Sequence, residues 1–238
     1  MINKTILVTG ATSGIGETSA RYFNSLGMNL YLTGRNQKKL DDMKLEMGGN
    51  VYTFSCDLNN LENVELLFND INEKNIKFDG LLFSSGIADP TPIRANTIEY
   101  MHKMMNVNCL SFMEIGKFFC NRRFSNNGAS IVAISSFAAD YPSSGQGMYA
   151  ATKEALNSMV QVMAKEYTKR EIRVNSIMPS YVLTPMVQGE VSYAMNNGIE
   201  NLPFGPIDPI QIAYLAEFLL SDKSKYITGA RIPVSAGL

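Results

Sequence analysis

Short runs of apolar residues alternate along the chain with longer stretches in which apolar residues recur at helical spacing. The short runs are apolar at successive positions, which is typical of strands covered on both faces. The repeated strand–helix–strand order predicts an α/β fold in three layers, with helices on both faces of a doubly wound parallel sheet. The predicted strands are Ile6–Thr9, Asn29–Thr33, Val51–Ser55, Gly80–Ser84, Ser130–Ser135, Arg173–Met178 and Ala230–Val234. The predicted helices are Gly14–Leu26, Gln37–Met47, Leu61–Asn72, Thr97–Arg123, Tyr149–Lys169 and Pro209–Leu220.

Residues 184–208 interrupt this alternation with prolines, glycines and no clean period. A loop of this length in a compact domain often has a function, so we predict a substrate lid; an ordinary surface loop is the alternative. No repeat, low-complexity tract or shift in composition divides the chain. We therefore predict one domain over residues 1–238.

The composition excludes several classes of function. The 238 residues are 45% apolar and 18% charged, which is typical of a globular protein, and the formal net charge is −1. A near-neutral chain gives no electrostatic reason to expect a nucleic acid or an acidic membrane as partner. No apolar run approaches the ~18 residues of a membrane span, and we find no signal segment. We predict a cytoplasmic protein.

Few side chains are available for metal or thiol chemistry. Cys56, Cys109 and Cys120 lie far apart in the sequence, so we expect reduced thiols and no disulfide. His102 is the single histidine, so the chain offers almost no residues for a metal site of several histidines or for a Ser-His-Asp triad. We predict no metal.

A glycine-rich turn follows the first predicted strand and opens the first helix. Gly10 can adopt the positive φ of a tight turn, and Gly14 and Gly16 let the backbone approach a pyrophosphate at the helix N-terminus. Many such turns need glycine for steric reasons alone, but this position in an alternating chain favours a dinucleotide site. The candidate phosphate-binding residues are Gly10, Thr12, Ser13, Gly14, Ile15 and Gly16.

The spacing of these glycines points to a particular family. It is GxxxGxG instead of GxGxxG, and Thr9–Gly16 resembles the TGxxxGIG of compact members of the short-chain dehydrogenase/reductase family. The resemblance extends over nearly the whole chain and includes members of the 3-oxoacyl-[acyl-carrier-protein] reductase type. It implies a Rossmann-like fold and a nicotinamide dinucleotide cofactor.

The end of the second strand indicates which dinucleotide binds. NAD sites usually carry a carboxylate there for the ribose hydroxyls, whereas this chain has Gly34 followed by Arg35. A guanidinium can bind a phosphate through two hydrogen bonds, and in the family an arginine here accompanies NADP. We predict NADP(H), with NAD(H) as the alternative; an ordinary loop cation beside Lys38 and Lys39 is the other interpretation of Arg35.

The resemblance implies further cofactor contacts. Asp57 would accept a hydrogen bond from the adenine amino group, and the segment after Pro179 would bind the carboxamide. Three segments depart from the family's usual residues. Phe83-Ser84-Ser85-Gly86 stands where the family usually has Asn-Asn-Ala-Gly, and Ser180 stands where it has a glycine. Near the C-terminus, Ser235-Ala236 stands where the family usually has Asp-Gly. The further candidate cofactor residues are Asp57, Leu58, Ser84, Ser85, Gly86, Tyr149, Lys153, Pro179, Val182 and Thr184.

The candidate catalytic pair is Tyr149 and Lys153, which lie four residues apart on one helix face. A nearby ammonium should lower the pKa of the phenol from ~10 and make it a useful proton donor. Such a pair also arises by chance, but Ser136 lies 13 residues before Tyr149, the spacing that the family keeps between its catalytic serine and tyrosine.

The resemblance completes a catalytic group with Asn108, which would hold a water in a proton relay. Ser135 and Asn106 are the neighbouring candidates that fit less well. The implied reaction is reduction of a carbonyl to a secondary alcohol, or the reverse, with Tyr149 as acid or base. The alternatives are a catalytically silent NADP-binding protein and an enzyme that modifies sugar nucleotides.

The implied partners are a small carbonyl or alcohol substrate and a second copy of the chain. Family members pair through the two long helices, which here contain Met101, Met104, Met105, Met113, Met159 and Met163, so we predict a homodimer or homotetramer; core filling is the alternative. An acidic acyl-carrier protein would need a cationic surface, for which Arg122-Arg123 and Lys169-Arg170 are candidates. Cations that only complement helix dipoles are the alternative.

Overall fold

The seven strands form one parallel sheet, as the alternating pattern predicts. A computed structural model describes residues 1–188 and 202–238. The strand order is β3-β2-β1-β4-β5-β6-β7, so the direction of winding reverses between β1 and β4. The strands are β1 (Thr5–Thr9), β2 (Asn29–Gly34), β3 (Val51–Ser55), β4 (Phe78–Phe83), β5 (Ser125–Ile134), β6 (Arg173–Pro179) and β7 (Arg231–Val234).

Helices cover both faces of this sheet. They are α1 (Gly14–Ser25), α2 (Gln37–Met47), α3 (Asn63–Glu73), α4 (Ile98–Met105), α5 (Ser111–Phe119), α6 (Gly147–Glu166), α7 (Pro185–Gln188) and α8 (Pro209–Leu220). None of the helices that the structure describes is long and apolar enough to cross a membrane. The predicted α/β class and the doubly wound Rossmann-like sheet are confirmed.

Successive strand residues point to opposite faces and build two apolar cores. In β1, Leu7 belongs to the core under α3, α5 and α6, whereas Ile6 and Val8 belong to the core under α1, α2 and α8. All three side chains are fully buried. The continuous apolar runs of the sequence therefore reflect burial on both faces.

The predicted helix Thr97–Arg123 is wrong as one regular element. A π-helical turn over Asn106–Leu110 separates α4 from α5, and α5 ends at Phe119. Arg122 and Arg123 lie in the turn that follows, where the Asn121 side chain accepts a hydrogen bond from the Arg123 amide. Similarly, α6 ends at Glu166 and a separate 3₁₀ turn covers Thr168–Arg170, so neither cation pair lies within a long helix.

Candidate active site

A large cavity lies over the carboxyl edge of the sheet, beside the point where the strand order reverses. Its volume is about 960 Å³. Ligands of open α/β sheets bind at this place because the loops that leave the strands diverge there. Seventeen of the predicted site residues line the cavity: Gly10, Thr12, Ser13, Gly14, Ile15, Arg35, Asp57, Leu58, Ser84, Ser85, Gly86, Ser136, Tyr149, Lys153, Pro179, Val182 and Thr184.

The glycine turn forms one end of this cavity. Gly10 has a φ of +65°, and a Cβ there would lie 2.8 Å from the Ser84 carbonyl oxygen. Gly14 has a φ of +51°, and a Cβ there would lie 3.1 Å from the Thr184 side chain. Ser13 caps α1 without any side-chain hydrogen bond to the first amides of the helix. Those amides are therefore available to the oxygens of a phosphate.

Gly16 has a packing role that the sequence analysis did not predict. It does not line the cavity, and a Cβ there would lie 2.3 Å from the carbonyl oxygen of Gly10. Glycine is thus required for the close packing of α1 against the turn. That the Gly16 backbone also approaches a pyrophosphate stays a prediction.

The end of β2 carries no carboxylate, and the Thr12 side chain lies close to Gly34. A Cβ at Gly34 would lie 2.9 Å from the side chain of Thr12, so an acidic residue could not enter without moving Thr12. Arg35 is exposed and lines the cavity. Of the ion pairs formed within residues 1–188 and 202–238, none involves Arg35, whereas Lys39 pairs with Glu17 at 2.9 Å.

The loop after β4 departs from the family motif without disturbing the sheet. Phe83 is fully buried and packs against Phe112, with 5.1 Å between the ring centroids. The amides of Ser84 and Ser85 both donate to the Thr9 hydroxyl at 3.2 Å. The replacement of asparagine by Phe83 is therefore accommodated by aromatic packing in the core.

Tyr149 and Lys153 both line the cavity from α6. The Lys153 Nζ lies 5.9 Å from the centroid of the Tyr149 ring and donates to the Ile134 carbonyl oxygen at 2.9 Å. Lys153 is 3% exposed, and this burial lowers its pKa to about 8. Because this pKa lies above 7, the Lys153 side chain still carries a positive charge at neutral pH.

The pKa of Tyr149 moves opposite to the prediction. Burial of the phenol raises its pKa, because the phenolate would lose hydration, and the nearby Ser136 hydroxyl opposes that rise. The expected lowering by Lys153 is wrong for this arrangement. The phenol is consequently protonated at neutral pH.

The two adjacent serines at the end of β5 have different environments. Ser135 is buried and its hydroxyl donates to the Lys153 carbonyl oxygen at 3.2 Å, within the packing of α6 on the sheet. Ser136 lies beside the phenol, and its Oγ accepts a hydrogen bond from the Ala138 amide at 3.1 Å. The geometry thus favours Ser136 over Ser135 as the group that meets a substrate.

Asn108 does not line the cavity but lies directly behind it. It is fully buried in the π-helical turn; its Nδ2 donates to the Ile87 carbonyl at 2.9 Å, and its Oδ1 accepts from the Ile87 amide at 2.8 Å. Its Nδ2 also lies 3.1 Å from the hydroxyl of Thr152, which donates to the Tyr149 carbonyl at 2.7 Å. Asn108 therefore joins the loop after β4 to the helix that carries Tyr149, whereas Asn106 bonds to Asn59 elsewhere.

The two ends of the predicted lid are held together. Val182 and Ile207 form a parallel β-bridge, and the Leu183 amide donates to the Ile207 carbonyl at 2.9 Å. Ser180 keeps the turn closed by donating from its hydroxyl to the Ser235 carbonyl at 3.0 Å. The part of the predicted lid at 189–201 lies outside the described residues.

The sequence analysis missed many of the residues that line the cavity near Ser136. The side chains that were missed lie in loops, where the sequence has no hydrophobic period and no motif to mark them. Only the 13-residue interval between Ser136 and Tyr149 indicates the segment that contains several of them. The missed lining residues include Ile87, Ala88, Phe137, Asp140, Tyr141, Ser143, Gln146, Tyr181 and Met186. Within the described part of the chain, no three His, Cys, Asp or Glu side chains cluster to hold a metal ion.

Comparisons with known proteins agree with this architecture. The family model described as enoyl-(acyl carrier protein) reductase matches residues 10–238. The 3-oxoacyl-[acyl-carrier-protein] reductase FabG of Thermotoga maritima is 28% identical, over 99% of this chain and 97% of its own length. The 2,5-dichloro-2,5-cyclohexadiene-1,4-diol dehydrogenase LinX of Sphingobium indicum is 31% identical, over 100% and 96%. Among solved structures, a short-chain dehydrogenase/reductase of Brucella melitensis, titled glucose/ribitol dehydrogenase, superposes with a TM-score of 0.92 at 27% identity and covers 100% of this chain and 97% of its own.

Proposed function

This chain belongs to the short-chain dehydrogenase/reductase family, and we propose that it is an NADP(H)-dependent enzyme that reduces a carbonyl group to a secondary alcohol. Its relatives FabG and LinX are oxidoreductases by name. One observation carries the proposal: Tyr149, Lys153 and Ser136 line the same cavity as the glycine turn. A proton donor and a dinucleotide cradle therefore share one space.

The residues of the turn fit a dinucleotide. Gly10 and Gly14 adopt backbone conformations that side chains disfavour, and the first amides of α1 are free to bind a pyrophosphate. Asp57 and Leu58 would contact the adenine, and Val182 and Thr184 the carboxamide. When bound, the nicotinamide ring supplies the hydride that the carbonyl carbon accepts.

Tyr149 acts as the general acid in this proposal. Its phenol donates a proton to the substrate oxygen while the Ser136 hydroxyl holds that oxygen in place. Because burial raises the pKa of Tyr149, the phenol is already protonated at neutral pH. A protonated phenol is the form that a general acid needs for reduction of a carbonyl.

Lys153 and Asn108 are proposed to help return a proton to Tyr149 after each transfer. The Lys153 ammonium is buried 5.9 Å from the centre of the Tyr149 ring and would take part in returning a proton to Tyr149 after the transfer. Asn108 lies close to this lysine, since a Cβ at Gly86 would lie 3.2 Å from the Lys153 Nζ and 3.5 Å from the Asn108 Oδ1. Asn108 would thus complete the route by which a water returns a proton to Tyr149.

Arg35 is proposed to select NADP(H). It is an exposed guanidinium at the cavity without an ion-pair partner among the described residues, and the neighbouring Gly34 carries no carboxylate that would repel a phosphate. A charge-assisted pair of hydrogen bonds to the 2′-phosphate follows from this chemistry. NAD(H) stays the alternative.

Reduction of a carbon–carbon double bond is a second candidate, favoured by the description of the matching family model. The oxygen of an enone would occupy the same place beside Tyr149 and Ser136, while hydride would reach a different carbon. Cyclohex-2-enone separates the two reactions. An allylic alcohol as product supports the proposed function, and a saturated ketone supports enoyl reduction.

An acyl-carrier protein as partner has weaker support. Lys77, Arg122 and Arg170 line a cavity of about 270 Å³ at the amino ends of β4, β5 and β6. However, the Arg170 guanidinium is occupied by the carbonyl oxygens of Cys120 and Ser125. The ten residues of β5 separate this surface from Ser136, which at ~3.3 Å per residue is roughly 30 Å. A carrier docked there would have to bridge that length to reach the catalytic residues of the same chain.

We also propose that the protein forms a homodimer or homotetramer through α5 and α6. Met113 on α5 is 45% exposed and Val162 on α6 is 49% exposed. The two helices contact each other where the Met163 side chain lies against Gly116. In contrast, Met104 and Met163 are buried and fill the core.

The experiment that tests the function follows oxidation of NADPH and NADH with a panel of ketones, aldehydes and a β-ketoacyl thioester. We expect turnover with NADPH, and we expect Arg35→Ala to raise the KM for NADPH by about tenfold or more while that for NADH changes little. Lys44→Ala, at the far end of α2, is the control for loss of a surface cation. Equal losses for both coenzymes in Arg35→Ala would contradict the assignment of Arg35, and a panel without any turnover would contradict the function.

A further inference from the structure

Two stacked aromatic rings stand at the wall of the cavity next to Ser136. The ring centroids of Phe137 and Tyr141 lie 4.8 Å apart at an interplanar angle of 23°. A short 3₁₀ turn holds them in this arrangement, and the Tyr141 amide donates to the Phe137 carbonyl at 3.1 Å. Both residues line the cavity.

Only one face of Tyr141 is covered. Phe137 takes one face, yet Tyr141 is 68% exposed, so its other face is open. An aromatic ring with an open face at a cavity wall offers a flat apolar surface of fixed orientation. We call this pair the aromatic platform.

The platform is tied to the proposed carbonyl site through the chain itself. Phe137 directly follows Ser136, whose Oγ accepts a hydrogen bond from the Ala138 amide at the start of the same turn. The hydroxyl that would hold the substrate oxygen and the ring that would hold the substrate body are therefore parts of one rigid segment. A small, rigid substrate can meet both at once.

The charges around the platform disfavour an anionic group on the body of the substrate. Among the described residues that line the cavity, the only cations are Arg35, at the end of β2, and Lys153. Asp140, beside Tyr141, is paired with Arg231, which also binds the Glu154 carboxylate through two hydrogen bonds of 3.0 and 2.7 Å. A carboxylate or phosphate on the substrate body would thus lose hydration without gaining a partner.

We propose that the platform makes this enzyme selective for uncharged, ring-shaped ketones, or the corresponding ring alcohols. The ring of the substrate lies on the open face of Tyr141, and its oxygen reaches Ser136 and Tyr149. A ring loses less conformational freedom on binding than an open chain of the same carbon number. This inference rests on the proposed function.

Three ketones of seven carbons test the proposal: 4-methylcyclohexanone, open-chain 2-heptanone and anionic 4-oxocyclohexanecarboxylate. With wild-type enzyme and NADPH, we expect kcat/KM to be highest for 4-methylcyclohexanone and at least about tenfold lower for each of the others.

Variants at the platform locate the source of that preference. Tyr141→Ala should raise the KM for 4-methylcyclohexanone about five- to tenfold with little change in kcat, because the lost contact is the same in ground and transition states. Tyr141→Ala should leave the KM for 2-heptanone nearly unchanged. The separate variant Tyr141→Phe, which keeps the aromatic ring, should retain the preference for the cyclic ketone. Tyr226→Ala, which removes a tyrosine that is 91% exposed outside the cavity, is the matched control.

The outcomes are distinct for the two proposals. Equal use of the three ketones, a preference for the anionic one, or equal losses for ring and open-chain ketones in Tyr141→Ala would overturn the platform while the function stands. Inactivity of all three ketones would also overturn it. The proposed function fails separately, only if the wider carbonyl panel with its β-ketoacyl thioester is inert as well.

Discussion

At the scale of single residues, Lys153 couples the site to pH. Burial lowers its pKa from 10.5 to about 8, so the ammonium dominates below pH 8 and the neutral amine above it. An anionic dinucleotide prefers the ammonium, and its binding should weaken as the pH rises past 8. The contribution of Lys153 to folding stability has the opposite sign: an unfolded lysine keeps its proton until about pH 10.5, so stability rises between pH 8 and 10.5.

The pH dependence of NADPH affinity measures this coupling. Titration of coenzyme fluorescence between pH 6.5 and 9.5 should give a Kd that is level below pH 8 and rises above it, by at most about tenfold per unit. Lys153→Met should bind more weakly below pH 8 and show a nearly level profile. The same rise in the variant as in the wild type would assign the dependence to another group.

The placement of single residues was predictable from the sequence where a motif fixes the local backbone, and not where packing decides. The turn at Gly10 and the pair Tyr149–Lys153 follow from spacing, and the structure brings them into one cavity. The raised pKa of Tyr149 depends on burial, which no local pattern reports. Similarly, the packing role of Gly16 depends on an atom of Gly10 across the turn.

At the scale of elements, the sequence predicts β2 and β6 to within one residue, because their continuous apolar runs are buried. In contrast, β5 begins at Ser125, five residues before its predicted start, because residues 126–128 are exposed and polar or glycine. The interruption between α4 and α5 was not predictable, because the π-helical turn follows the hydrogen bonds of Asn108 to Ile87 and Thr152, which belong to other elements. Apolar spacing also continues to Phe124, although the helix ends at Phe119.

The exposed apolar side chains of α5 and α6 lead to a prediction for assembly. Light scattering at micromolar concentration should give a dimer or tetramer, and Val162→Lys should shift it toward monomer, because a charge would be buried at the interface. Leu45→Lys is the matched control, since Leu45 is an apolar residue on α2 that is 83% exposed. A monomeric wild-type protein would refute assembly through these helices.

At the scale of the whole molecule, the order of the strands brings distant parts of the chain together. The glycine turn follows β1, Ser136 follows β5, and Thr184 follows β6, yet all three line one cavity because parallel strands end at the same edge. The central claim is that Tyr149 donates the proton to a carbonyl at this edge, opposite a bound dinucleotide.

The most direct test of that claim compares Tyr149→Phe with the wild type at saturating NADPH and ketone. The variant keeps the ring and its packing but lacks the acidic hydroxyl. We expect its kcat to fall by about 10² to 10⁴ while the Kd for NADPH stays within about threefold. Tyr226→Phe, which loses an exposed hydroxyl outside the cavity, should keep full turnover. Turnover retained in Tyr149→Phe would contradict the account.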